Sequence, residues 1–276
     1  MPTFKNMRKL IKISLVLLVA VIFLPTCKKN TSPTNCLVVS ATQLKRKVVF
    51  TYDANTFLTR IADYSDSTNL LTANNYYTSY NNSGQVSAVT EAHESGSFDS
   101  IAFEYIGTSK IKEKQYILTD NVMQLNYSRN YSLDVHGLIT SDTLYGLLPA
   151  RKGMLVSNYT TYAYDAGNNL VSLDNYAPGG GQNFNITYAY TDTLIQNNSY
   201  NIARFSCIQH YGSEYQYVFP RINKLPIKIF YTANSSTTIY DYTYDLDVNK
   251  NPLSENTNVA TCFDCSHTTY YKYECY

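Results

Sequence analysis

The chain has 276 residues, of which 14% are aromatic and only 16% charged, with 22 basic against 21 acidic residues and a formal net charge of +1. A balanced, sparsely charged chain lacks the concentrated basic surface that nucleic acid requires, so no nucleic-acid partner is expected. Its 28 Tyr and 11 Phe, with no Trp, point to strands rather than to a helical enzyme, because tyrosine joins an apolar ring to a polar tip and suits half-buried strand positions.

In chain order, the first element is a leader. Lys5, Arg8, Lys9 and Lys12 precede an apolar run from Ile13 to Leu24 that only Ser14 interrupts. A membrane span needs about 20 apolar residues, so this shorter run reads as the core of a signal peptide over residues 1–26. It closes on Leu24-Pro25-Thr26-Cys27, which resembles the lipobox of bacterial lipoproteins, where the Cys is acylated and becomes the first residue after cleavage. Thr26 stands where that motif usually carries Gly, Ala or Ser. The resemblance implies lipidation at Cys27, with chains such as palmitate, and hence a membrane partner and an outer-membrane address. Each buried methylene contributes about 0.8 kcal/mol, so several acyl chains hold a protein on a bilayer essentially permanently. Residues 27–37 then form the lipidated Cys and a polar, flexible tether. Lipoproteins of this type bound for the cell surface usually carry acidic residues just after the Cys. Lys28-Lys29-Asn30 occupy those positions here, which leaves both the periplasmic face and the surface open.

From residue 38 to 276 a unit recurs: an aromatic-x-Tyr, a turn of Asp, Asn and Gly, then an apolar strand. Tyr52, Tyr80, Tyr105, Tyr131, Tyr164, Tyr190, Tyr217, Tyr244 and Tyr273 are its anchors, 25 to 33 residues apart. About 26 residues accommodate two strands and two turns, so each unit is one hairpin plus its link to the next. Asx and Gly residues supply the positive φ and the local side-chain hydrogen bonds that such turns need. Alternation places each anchor and the residue two before it on one face. That earlier position holds Phe50, Thr78, Phe103, Arg129, Tyr162, Tyr188, Tyr215, Tyr242 and Tyr271, an aromatic ladder across one sheet face. The expected fold is all-β: a long antiparallel meander of tandem hairpins, about 16–18 strands, forming either a strongly curved open sheet or a barrel.

The copies Tyr52-Asp53-Ala54-Asn55-Thr56-Phe57-Leu58 and Tyr164-Asp165-Ala166-Gly167-Asn168-Asn169-Leu170 resemble the YD repeats of Rhs-type proteins. Together with the lipobox, the meander is similar to Gram-negative lipoproteins that carry a porin-like domain of unknown function. That resemblance implies a curved or closed meander and no established activity. A membrane-spanning barrel is the competing architecture. It would require alternation with an apolar outer face, whereas Lys45-Arg46-Lys47 and Lys110-Ile111-Lys112-Glu113-Lys114 place charge inside strands, and Lys272 and Glu274 place it in the last one. A peripheral domain is the expected arrangement.

No catalytic residue, metal site or cofactor is expected. No Gly-x-Ser-x-Gly elbow, phosphate loop, dinucleotide fingerprint or His-Glu-x-x-His occurs. Asp53, Asp165 and Asp245 are explained by turn formation, His136 by its own turn, and His93 by a polar loop, while His210 sits in a strand pattern. Binding is more plausible than catalysis. Tyr162, Tyr188, Tyr215 and Tyr242 would bind a glycan or polymer if the ladder is exposed, and would be core if it faces inward. An open meander also leaves edges that an envelope protein could extend. A structural or assembly module is thus the leading function, with glycan binding as the alternative and a carbohydrate-active enzyme as a remote third. Of the cysteines, Cys262, Cys265 and Cys275 are the disulfide candidates, a staple for the C-terminal strand pair being preferred to a zinc or redox site. Asp99-Ser100-Ile101, Asp142-Thr143-Leu144 and Asp192-Thr193-Leu194 resemble a bacterial O-glycosylation acceptor.

Overall fold

The computed structural model describes residues 36–44, 46–64, 74–92, 98–148, 153–195, 200, 222–259 and 266–275. Within them run sixteen strands: β1 (Cys36–Gln43), β2 (Arg46–Tyr52), β3 (Leu58–Tyr64), β4 (Asn74–Tyr80), β5 (Val86–Ala92), β6 (Phe98–Ile106), β7 (Lys110–Thr119) and β8 (Val122–Leu133). They continue as β9 (Ile139–Leu148), β10 (Gly153–Tyr164), β11 (Leu170–Tyr176), β12 (Gln182–Leu194), β13 (Lys224–Ala233), β14 (Ser236–Leu246), β15 (Pro252–Val259) and β16 (His267–Cys275). Each strand pairs with its sequence neighbours, and β1 meets β16, so the meander is a closed barrel. The open-sheet expectation falls, and with it the free edges that a partner could extend, because closure removes every edge. β1 takes in Cys36 and Leu37, the last two residues of the expected tether.

The repeat has a concrete geometry. In the turn after β2, the Asp53 carboxylate accepts from the backbone N–H of Asn55 and of Phe57, both at 2.9 Å. The same two bonds recur on Asn81, Asp134, Asp165 and Asp247. Each turn also places one residue at positive φ: Thr56, Gly84, Gly137, Asn168 and Lys250. In all five hairpins the register then slips by one residue, as at Thr51/Tyr52 and Ala163/Tyr164. A bulge of this kind disrupts the ladder locally, and a phenol is aimed at the carbonyls beside it. The hydroxyls of Tyr80, Tyr105, Tyr164 and Tyr190 donate to the carbonyls of Leu58, Val86, Ile139 and Leu170, the first residue of the preceding strand in each case. Tyr52 and Tyr244 do the same to Val38 and Pro226.

Two anchors are displaced by one pleat. Leu133 and Leu246, not Tyr131 and Tyr244, directly precede their turns, and Asp247 forms the last turn. Asp245, expected in that turn, lies instead within β14, where it accepts from the Ser254 hydroxyl at 2.7 Å.

The ladder faces inward. Phe50, Tyr76, Phe103, Ile111, Tyr131 and Tyr271 belong to one contiguous core, against which Tyr52, Tyr105, Tyr162, Tyr244 and Tyr273 pack. The intervening positions point away from it. Many are polar or small, among them Thr51, Ser79, Ala102, Glu104, Lys112, Lys114, Thr161, Ser172, Lys228, Asp241 and Lys272, while Tyr77, Ile106 and Tyr270 are exposed apolar or aromatic side chains in the same register. A lipid-facing Lys or Arg at mid-bilayer costs about 2–4 kcal/mol, and this wall carries several.

These bonds set measurable stabilities. Tyr80→Phe leaves the Leu58 carbonyl without its phenol, so the unfolding free energy should fall by about 1–3 kcal/mol in chemical denaturation, with the fold retained. Thr56→Gly should raise it by about 1 kcal/mol, because a β-branched residue at positive φ is strained and glycine is not.

Candidate functional site

The inward face carries one polar belt that crosses neighbouring strands. Cross-strand register aligns Glu113 of β7 with Arg129 of β8, Tyr131 with Asp142 of β9, Asp142 with Thr160 of β10, and Thr160 with Asn175 of β11. Glu113 is the hub at one end. Its two carboxylate oxygens accept from the Tyr127 hydroxyl at 2.8 Å and the Tyr131 hydroxyl at 2.6 Å. At the centre, Asp142 accepts from the Tyr162 hydroxyl at 2.5 Å and lies 3.7 Å from the Arg129 Nε. The Arg129 guanidinium sits 6.0 Å from the centroid of the Tyr127 ring. Beyond Asp142, Asn175 donates to the Thr160 hydroxyl and accepts from Asn183.

A second carboxylate–phenol cluster lies on the same inward face, at β15 and β16. Glu255 of β15, 1% exposed, accepts from Tyr200 at 2.5 Å and from Tyr271 of β16 at 3.4 Å. Tyr200 and Tyr271 meet edge to face at 5.1 Å. Tyr200 belongs to the connection between β12 and β13, so that connection sends a side chain into the barrel core. Its far end is pinned outside: Asn223 donates to the carbonyls of Gly167 and Asn168 and to the Asn169 side chain.

The electrostatics follow from burial. Desolvation pushes the Asp142 carboxyl above the usual carboxylate range, although Arg129, Tyr162 and Thr160 all pull it down. Burial pushes Tyr131 and Tyr162 well above the ordinary phenol value, with Glu113 and Asp142 as the next causes. Burial alone would lower Arg129, but Tyr131, Asp142 and Glu113 outweigh it and raise it. Protonated phenols of this kind donate hydrogen bonds and do not act as bases or nucleophiles near neutral pH. The belt therefore holds strands in register; it has no nucleophile–base pair.

The residues singled out in the sequence fall in three places. Tyr162 is half-buried on Asp142, Tyr188 lies parallel to Tyr190 with centroids 6.2 Å apart, and Tyr242 is buried among Ile186 and Ile229. All three point into the barrel, so a glycan would have to enter it to reach them. Cys27, Tyr215, Tyr217, Cys262, Cys265, His93 and His210 lie outside the described residues. Cys275 is disulfide-bonded, and so is Cys36, which the sequence did not single out. Among the described residues no group of three or more His, Cys, Asp or Glu side chains is placed to hold a metal. Of the acceptor-like triplets, Ser100 and Thr143 take outward positions on β6 and β9, and Thr193 lies near the end of β12. The belt itself escaped notice in the sequence, although Arg129 was a visible signal: it is the one charge in the ladder's inward register.

The raised Asp142 carboxyl predicts a pH dependence. A carboxyl with a higher pKa folded than unfolded holds its proton more tightly when folded. Its contribution to stability is full at low pH and is lost as pH rises from about 3.9, the ordinary Asp value, to the raised one. Denaturation midpoints measured from about pH 3 to 7 should show that decline, and Asp142→Asn should remove it. The same slope in the Asn variant would assign the effect to another group.

Comparison with known proteins gives a likeness of fold. No family model matches the chain, and no curated protein does. The crystal structure of a porin-like protein from Bacteroides uniformis ATCC 8492 matches with a TM-score of 0.53 at 13% identity, covering 88% of this chain and 99% of that one. A porin-like protein from Bacteroides vulgatus ATCC 8482 matches with a TM-score of 0.48 at 12% identity, over 86% of this chain and 99% of that one. What the chain shares with the first of these is the closed, sixteen-strand, all-β meander.

Proposed function

We propose that this chain is a lipid-anchored structural or assembly module of the bacterial outer membrane. Acyl chains on Cys27 hold it to the bilayer, and a short polar tether separates them from a barrel that stands in water and offers its wall to envelope protein partners. The observation that carries this reading is the orientation of the barrel. Tyrosine rungs and the Glu113–Arg129–Asp142 belt fill the inward face, while Lys, Asp, Ser and Thr alternate outward. A porin-type barrel has the opposite arrangement, with an apolar band about 25 Å tall facing lipid. A body of this kind needs a separate anchor to remain on a membrane, and the Leu24-Pro25-Thr26-Cys27 motif supplies one. The satisfied carboxylates and protonated phenols of the belt suit a rigid module better than a hydrolase, whose acid and base need pKa values drawn toward the working pH.

Cell fractionation tests the anchor. The parent chain should sediment with the outer membrane and carry acyl mass at Cys27, whereas Cys27→Ala should appear folded in the soluble fraction. A Cys27→Ala chain that resists alkaline extraction from the membrane would mean that the barrel wall itself is embedded, and would overturn the reading.

A further inference from the structure

The hairpin of β7 and β8 sets a row of lysines beside an apolar cluster on the outward face. Along the outward face of β7 run Lys110, Lys112 and Lys114, followed by Tyr116 and Leu118. Across the ladder, Leu125 stands opposite Tyr116 and Met123 opposite Leu118, so these four share one face. Next to them Tyr145 of β9 stands opposite Val156 of β10, also facing outward. Met123 and Val156 are 37% and 38% exposed. Of the other turns at this end of the barrel, Ala177 to Gly181 and Asn234-Ser235 are small or polar, while the β1–β2 turn exposes Leu44. None of the three lysines forms an ion pair among the described residues, whereas Lys228 is matched by Asp241 at 3.1 Å. The strand positions facing the lysine row are Ala102, Glu104 and Ile106 on one side and Ser128, Asn130 and Ser132 on the other. Only Glu104 among these is acidic.

We propose that this face is a docking surface for an anionic lipid bilayer. Three lysines about 7 Å apart, beside a tyrosine and four exposed or half-exposed aliphatic side chains on one face, supply the positive charge and the apolar contact that an anionic headgroup–acyl boundary takes. Unpaired lysines complement lipid phosphates, and a protein partner of ordinary surface composition would leave them without counter-charge. Asp120 caps the tip at positive φ, so contact is made by the side of the hairpin and not by its end. The lipid anchor proposed above does not depend on this surface. It would fix how the tethered barrel lies rather than whether it stays.

The experiment uses the chain from Lys28, which contains every strand of the barrel and no acyl group. Its co-sedimentation is measured with vesicles of phosphatidylcholine alone and of phosphatidylcholine with phosphatidylglycerol. Binding is expected on the anionic vesicles, weakening as salt is raised. The triple variant Lys110→Gln, Lys112→Gln, Lys114→Gln should bind on the order of a hundredfold more weakly, at roughly fivefold per lysine. Leu118→Ser with Met123→Ser should weaken it further. Hydrogen exchange on the parent chain keeps the test independent of how the variants fold: vesicles should protect β7 and β8 above other strands. A folded parent that ignores anionic vesicles, a triple variant that binds equally, or protection spread evenly around the barrel would each overturn the proposal. So would a dimer in solution that Leu118→Ser dissolves, since the patch would then be an interface between copies. Failure here leaves the Cys27 fractionation result standing.

Discussion

A barrel of tandem hairpins depends on how each hairpin is locked to the one before it, and here the lock is a phenol donating to a backbone carbonyl beside a bulge. Each Asx turn is followed by a register slip, and a slip leaves backbone groups that the ladder does not serve. Tyr80 and Tyr164, which end β4 and β10, send their hydroxyls to the carbonyls that open the preceding strands, Leu58 and Ile139. Burial raises the Tyr80 phenol to about 12, with Asp53 of the neighbouring turn adding to the shift, so the donor keeps its proton at any physiological pH. Phenylalanine would fill the same volume without the bond. Among the described residues six of the tyrosines carry that bond: Tyr52, Tyr80, Tyr105, Tyr164, Tyr190 and Tyr244.

The same rungs decide which side of the barrel meets water. A sheet side chain alternates strictly, so a tyrosine committed inward commits its neighbours outward. With the rings inside, the outer register is left to Thr51, Ser79, Lys112, Lys114, Thr161 and Asp241. Sixteen strands in a membrane barrel enclose an aqueous channel. Here residues from β1 to β9, with Leu225, Tyr271 and the inserted Tyr200, form one continuous core.

Much of this was legible because it is local. The Asx turn, the anchor tyrosine and the bulge lie within about ten residues of one another, so each copy can be recognised alone. Closure was not legible, because it depends on the register that every strand hands to the next and on β1 meeting β16 across the whole domain. Sequence placed the last turn at Asp245 because Tyr244-Asp245 imitates the motif, whereas the turn forms at Asp247, where the carboxylate can accept from Asn249 and Asn251. The belt was hidden for a different reason. Glu113, Arg129, Asp142 and Thr160 sit on four strands and carry no motif, and only the paired register brings them together. Yet the two non-aromatic members of the inward ladder, Thr78 and Arg129, are also two of the three residues with a buried polar atom lacking a hydrogen bond among the described residues.

The third is Tyr273, the anchor of the last strand, and it shows where the repeat logic ends. Every other described anchor finds a carbonyl or a carboxylate. At the seam the chain uses other means. Tyr200 enters from the β12–β13 connection to share Glu255 with Tyr271. Cys36 and Cys275, in the first and last strands, are both disulfide-bonded. A meander can propagate by repeating one lock, but closing it joins two strands from opposite ends of the domain, and for that junction the hairpin code has no rule. Tyr200, which lies between β12 and β13 and carries no repeat motif, is one of the residues that supplies such a contact.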